Sequence, residues 1–176
     1  KHFADKAEIE LVEIKDLPVF NKPADKLIPA EALEIVAKID AADGVIIGTP
    51  EYDHSIPAVL MSALAWISYG VFPLLNKPVM ITGASYGTLG SSRAQLQLRQ
   101  ILNAPEIKAT VLPDEFLLSH SLQAFDKNGD LVDLDVINKL DAIFDDFRIF
   151  VKITEKLRSA QELLRKDAEE FDWENL

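Results

Sequence analysis

The chain has 176 residues, 48 % of them apolar, and a formal net charge of −11. That length holds one domain with a full core, with room for an appendage. The acidic balance excludes a nucleic-acid or anionic-membrane surface, since both need basic patches. With no cysteine, disulfides, thiolate chemistry, iron–sulfur clusters and thiolate zinc sites are excluded together, as fits a cytoplasmic protein.

No apolar run approaches the length that spans a bilayer. The chain opens on Lys1, and KHFADKA reads as the last turns of a helix already under way. A segment upstream of Lys1 is therefore expected.

In chain order, residues 9–14 alternate imperfectly and predict a strand. Residues 16–23 hold Pro18, Asn21 and Pro23, which exclude regular structure there. Residues 29–41 carry apolar side chains at 32, 33, 35, 36 and 39, with Glu31 and Glu34 early. They predict an amphipathic helix starting near Pro29. Val45-Ile46-Ile47 is too short for a helix and is bounded by Gly44 and Gly48, so a buried parallel strand is predicted over 44–48.

A polar loop follows, and Pro57 sits where the first helical position of residues 57–68 is expected. Residues 78–82 predict a second core strand. Ser91 or Ser92 is the expected cap of a helix over 93–102. Residues 108–112 predict a third core strand. Residues 126–130 predict a tight turn between two extended pieces. A long helical pattern runs from Asp133 to about Arg165. Strands alternating with helices predict an α/β fold with a parallel sheet.

Two stretches carry the chemistry. Residues 49–55 pack hydroxyl, carboxylate, phenol and imidazole groups between a strand end and a helix N-terminus, whose N–H groups carry partial positive charge. An electron-rich planar ligand suits such a loop; the plainer alternative is an ordinary turn with polar filling. Residues 83–90 form a second loop, with three glycines that let backbone approach a flat ligand closely. Both loops are expected on the sheet edge where open α/β sheets bind ligands.

His54 is more simply an exposed loop histidine than a ligand or base, and with no partners near in sequence no metal site is expected. Asp145-Asp146 and residues 167–170 read as solvated helix faces. Arg93 and Arg99 would meet a ligand phosphate or a neighbouring subunit, with surface ion pairs as the default. Trp66 reads as a core or oligomer contact.

TPEYDHSIPAVLMSALAWIS resembles the Thr-Pro-Glu-Tyr-Asn-x-Ser-Ile-Pro segment of the NADPH-dependent FMN reductases, flavodoxin-like enzymes that include azoreductases, quinone reductases and chromate reductases. KPVMITGASYGTLGSSRAQLQLRQIL is similar to that family's second signature, Ser-x-Gly-x-x-Gly-x-x-Arg-x-Gln-x-x-Leu-Arg. DLPVFN upstream and VLP downstream extend the resemblance over residues 1–157. Residues 158–176 then stand as a charged helical extension or linker, with Leu163, Leu164, Phe171 and Trp173 spaced along it.

The resemblance implies a flavodoxin-like parallel sheet of order 2-1-3-4-5. It implies FMN as cofactor, NADPH or NADH as co-substrate, and a ping-pong cycle that passes electrons to flavin, quinone or azo acceptors. The ring-binding residues it implies are Pro50, Glu51, Tyr52 and Asp53, with Ser55 and Ile56 beside them. From the second loop it implies Ser85, Tyr86, Gly87 and Gly90. No catalytic side chain is required, because the flavin carries the chemistry. A homodimer or homotetramer is implied, with the helices after the two loops at its interfaces. A non-enzymatic flavodoxin-like carrier and a fold-only interaction module are the rival expectations.

Three departures stand out. Asp53 replaces the usual Asn, Ala63-Leu64-Ala65 makes the following helix more apolar, and the family's phosphate-binding loop and first strand are expected upstream of Lys1.

Overall fold

A computed structural model describes the backbone of residues 2–169 and the side chains of residues 2–164. In order, the elements are α1 (Ala30–Ala41), β1 (Val45–Pro50), α2 (Ala58–Trp66), β2 (Pro78–Ala84), α3 (Ser92–Leu102), β3 (Thr110–Val111), β4 (Phe116–Leu118) and α4 (Leu134–Glu169). Every strand pairing is parallel: β1 with β2, and both β3 and β4 with β2.

β2 is the centre of the sheet. Val79, Met80 and Ile81 are all buried, as a strand covered on both faces requires. Their alternation splits the core in two. Val79 and Ile81 face a cluster with Ile39 of α1, Leu60 and Leu64 of α2, and Leu98 and Leu102 of α3. Met80 faces the other cluster, with Phe116, Leu118 and the α4 residues Ile143, Phe144 and Phe147. The result is a three-layer α/β fold.

The strand expected over 108–112 shortens to β3, which pairs with the start of β2, and after a break a further strand that was not expected, β4, pairs with the end of β2. Pro113, which has no N–H to give a ladder, stands in the break. Arg99 of α3 collects the carbonyls there, donating to Leu112 O at 2.7 Å and Asp114 O at 2.8 Å. It is therefore a staple within the fold rather than a surface ion pair.

Residues 9–14 are not a strand and do not pair with 44–48. Ile9 is 52 % and Leu11 84 % exposed. Imperfect alternation is not enough without a ladder partner, and only Ile14 of this stretch packs against the core. Residues 17–20 are held by side chains instead. Trp66 Nε1 donates to Pro18 O at 2.8 Å, Ser62 Oγ accepts from Phe20 N at 2.7 Å, and the Phe20 and Trp66 rings meet edge to face. Trp66 is thus a core residue that pins an otherwise irregular segment.

Asp145 is not simply solvated. Lys6 Nζ donates to it at 2.7 Å, tying the N-terminal turn to α4. The turn at 126–130 is as expected, closed by the Phe125–Leu131 bridge with Gly129 at φ +80°. α4 begins on an Asp133 cap to Asp135 N at 2.9 Å and passes Leu157 without interruption. Phe171 and Trp173 lie outside the described residues, as do the side chains of 167–170. Among the described residues no helix is long and apolar enough to cross a membrane.

Candidate functional site

The sheet register aligns the carboxyl ends of three strands. Pro50 of β1 is level with Ala84 of β2, which is level with Leu118 of β4. Residues 51–55 and 85–90 therefore leave adjacent strands at one edge, as their topology predicts. A third segment, residues 119–121, leaves beside them.

The first loop is a tight two-residue turn. Tyr52 N donates to Ser55 O at 2.9 Å, and Ser55 N to Tyr52 O at 2.8 Å. Asp53 (φ +49°) and His54 (φ +66°) form its tip, and two positive φ angles define a type I′ turn. Asp and Asn are the non-glycine residues best suited to that region. Asp53 thus keeps the turn that the usual Asn would make, while placing a carboxylate at its tip.

Behind the turn, Gln97 of α3 receives Ser55 Oγ at 2.6 Å and Ile56 N at 2.9 Å on a single oxygen. Pro57 sits one place earlier than expected. Its ψ of 145° makes it the cap position, with Ala58 the first helical residue.

Glu51 does not point outward. Its side chain is 7 % exposed, against 44 % for Arg93. Its carboxylate accepts from Arg93 Nε at 2.6 Å and from Arg93 N at 3.1 Å. Burial works against its charge, but the hydrogen bonds and the charge of Arg93, with the Ala94 amide, outweigh it and hold the carboxyl below the ordinary range.

Glu51 thereby caps α3 from another loop. Ser91, the expected cap, has φ +70° and makes no side-chain cap bond. Arg93, weighed as a phosphate contact, is committed to Glu51.

The second loop rests on the third segment. Ser85 N donates to Leu118 O, Ser121 N to Ser85 O and His120 N to Gly87 O, each at 3.0 Å. Ser119 Oγ donates to Thr88 O at 2.6 Å. Gly90 lies flat on β4 with φ +57°, and a Cβ there would meet the Leu117 carbonyl carbon at 2.6 Å. Gly87 is the opposite case, exposed and with nothing within 4 Å of a Cβ position. Tyr52 and Tyr86 stand 62 % and 74 % exposed on the two loops.

Sequence reasoning missed Gln97, Ser119 and His120. His120 is distant in sequence from both loops, and only the parallel placement of β4 brings it to them.

The opposite edge of the sheet holds a cavity of about 140 Å³ lined in part by Asp40, Lys77, Thr154 and Arg158. Lys77 Nζ spends itself there on Ala42 O at 2.7 Å, closing the end of α1. Desolvation lowers its pKa. This is a structural ammonium, far from the two loops.

An open parallel sheet with paired loops at its carboxyl edge defines a flavodoxin-like ligand-binding protein. The comparisons make this specific. The family model for NADPH-dependent FMN reductase matches residues 1–123, and the chain belongs to that family of flavin-dependent NAD(P)H oxidoreductases.

It is 50 % identical over 175 residues to the NADH:(hydroxy)cinnamate reductase subunit CrdA of Vibrio ruber, covering 99 % of this chain and 86 % of the relative. It is 46 % identical over 162 residues to the NADH-dependent flavin reductase subunit 2 of Lactobacillus johnsonii, covering 89 % and 87 %. Among solved structures it is similar to FerB, a flavoenzyme NAD(P)H:(acceptor) oxidoreductase of Paracoccus denitrificans. There the TM-score is 0.73 at 27 % identity, covering 88 % of this chain and 84 % of that one.

The residues present fit a flavin ring. Gly87 has open space at its Cβ position, and Tyr52 and Tyr86 are exposed on the same edge of the sheet.

Proposed function

We propose that the two loops at the carboxyl edge hold the FMN ring while hydride arrives from NADH or NADPH and electrons leave to a quinone, flavin or azo acceptor in a ping-pong cycle. The observation that carries this is the alignment of Pro50 with Ala84 and Leu118. The bound flavin supplies the redox chemistry; the chain binds, orients and tunes. Pro50, Tyr52, Asp53, Ser85, Tyr86 and Gly87 form the face toward the ring. Glu51, Ser55, Ile56 and Gly90 shape that face from behind, since each is engaged within the protein.

Residues 1–157 form the FMN-binding domain in this reading, and 158–176 extend it. Val59 and Met61 on α2, with Leu89 and Leu96 near or on α3, are exposed apolar residues on the elements after the two loops. They support a homodimer or homotetramer built through those helices. The absence of cysteine supports a cytoplasmic setting. The relatives from V. ruber and L. johnsonii are both named as subunits, and this chain is read likewise as one subunit of a larger reductase.

Titration with FMN followed by NADH and a benzoquinone tests the reading. Saturable FMN binding, with bleaching of the flavin absorbance by NADH and its recovery on quinone addition, is the expected result. A chain that binds FMN but is not reduced by NADH is a carrier instead.

A further inference from the structure

None of the residues assigned to the flavin site lies in the hairpin at 125–131. Its tip carries Asn128-Gly129, and Asn128 is the only asparagine of the sequence that is followed by glycine. Residues 125–130 are all exposed.

That dipeptide carries a chemistry of its own. The backbone nitrogen of a residue can attack the side-chain carbonyl carbon of an asparagine before it. Here the new bond would run from Gly129 N to Asn128 Cγ. The bond from Cγ to Nδ2 breaks, the hydrogen of Gly129 N passes by way of solvent to the departing nitrogen, and ammonia leaves. A cyclic imide remains. A solvent water opens it to aspartate or, through the other carbonyl, to isoaspartate, in which the side-chain carbon has entered the backbone. Glycine leaves its nitrogen the least shielded, because it has no Cβ.

The reacting groups are all engaged by Asp126. Gly129 N, the nucleophile, donates to Asp126 O at 3.0 Å. Asn128 Nδ2, the leaving group, donates to Asp126 Oδ2 at 3.2 Å. Asp126 Oδ1 accepts from Asn128 N at 2.8 Å and from Asp130 N at 3.0 Å. Asp126 N donates to Asp130 O at 2.9 Å, and Gly129 has φ +80°. This is the three-residue hairpin loop that ends on a left-handed glycine. While its hydrogen is bound to a carbonyl, the Gly129 nitrogen cannot turn onto Cγ. While its amide is bound to a carboxylate, the Asn128 side chain cannot swing onto that nitrogen.

We infer that Asn128 is a latent deamidation site, which the folded hairpin keeps closed through Asp126. Reaction follows opening of the hairpin, and the product weakens the lock that delayed it. A carboxylate at position 128 faces that of Asp126 where an amide donated before, and like charges repel. Isoaspartate, with its lengthened backbone, no longer fits the turn.

The test incubates the full chain at neutral pH and physiological temperature, folded and, in parallel, in denaturing urea. Peptide mapping by mass spectrometry follows the amide-to-acid mass change at each asparagine. An isoaspartyl methyl-transfer assay counts the rearranged product. In urea, Asn128 is converted ahead of Asn21, Asn76, Asn103 and Asn138. In the folded chain its conversion is at least about tenfold slower, and Asp126→Ala speeds the folded reaction by at least about fivefold while leaving the urea rate within about twofold. Asp126→Asn keeps an acceptor oxygen for the backbone amides but loses the carboxylate that holds Asn128 Nδ2, so its folded rate falls between those of wild type and Asp126→Ala.

Equal rates in the folded and unfolded chains overturn the inference. So does a folded rate that neither variant changes, or another asparagine that reacts first in urea. Circular dichroism checks that each variant is folded. Where Asp126→Ala is not, Asp126→Asn decides alone, and a folded rate equal to that of wild type overturns the inference.

Discussion

Both carboxylate oxygens of Glu51 are taken by Arg93, one by its side chain at 2.6 Å and one by its backbone amide at 3.1 Å. The first loop thus holds the helix that follows the second, and the two loops proposed to hold the ring are tied together. Glu51→Ala removes the cap of α3 and leaves the Arg93 guanidinium without its acceptor. A lost cap is worth about 1 kcal/mol, or roughly 2–4 °C in Tm for a chain of this size. FMN affinity falls by up to about tenfold if the loops separate. Thermal denaturation and FMN titration on one sample separate the two effects.

The same pair gives a pH dependence. The Glu51 carboxyl titrates below its ordinary value of 4.5 in the folded chain. A depressed carboxylate contributes stability that is present above its unfolded pKa and lost as pH falls through the folded value. The Tm difference between wild type and Glu51→Gln is therefore full at neutral pH and shrinks on acidification below 4.5. A difference that stays constant across that window would show that the charge of Glu51 is not what stabilises the fold.

Two glycines separate folding from binding. Gly90→Ala places a Cβ 2.6 Å from the Leu117 carbonyl carbon at φ +57°, so it destabilises by several degrees whether or not FMN is added. Gly87→Ala meets nothing within 4 Å, so Tm is unchanged. In the proposed site its added methyl group stands on the face toward the ring, and the FMN Kd rises about tenfold. An unaltered Kd in Gly87→Ala would move the ring away from this loop.

Asp53→Asn keeps the type I′ turn, because both residues accept positive φ. In the proposed site it removes a negative charge beside the flavin. A unit charge near contact distance in water is worth about 1 kcal/mol, or about 20 mV for a two-electron couple. The potential of bound FMN rises by that order, with Tm unmoved. Spectroelectrochemistry of the wild type and variant measures it.

Arg99→Met leaves the Leu112, Pro113 and Asp114 carbonyls without their donor at the break between β3 and β4. Hydrogen bonds from a charged group are worth about 1.5–3 kcal/mol, so chemical denaturation detects the loss. Arg99→Lys recovers only part of it, since a point ammonium cannot reach three carbonyls as a planar fork does.

The order of helices and core strands was legible because β1 and β2 are short apolar runs between breakers and α1 and α3 have regular periodicity. The placement of both loops on one edge followed from parallel topology alone. What stayed hidden depends on contacts between distant residues. Imperfect alternation over residues 9–14 predicts a strand, but Leu11 is exposed and no ladder receives it. Ser91 has the right identity for a cap, yet Glu51, forty residues earlier in the chain, takes the place. Arg93 and Arg99 suggested ligand or subunit contacts by charge, and both are spent on the fold.

The central claim is that residues at the carboxyl edge hold FMN and deliver its electrons. The most direct measurement is a stopped-flow half-reaction of the FMN-loaded chain with NADH, followed by mixing with a quinone. The account predicts full bleaching of one bound flavin per chain in the first mix and full recovery in the second. Gly87→Ala should weaken FMN binding at unchanged stability. A chain whose bound FMN is not bleached by NADH, or that retains FMN equally well in Gly87→Ala, would contradict it.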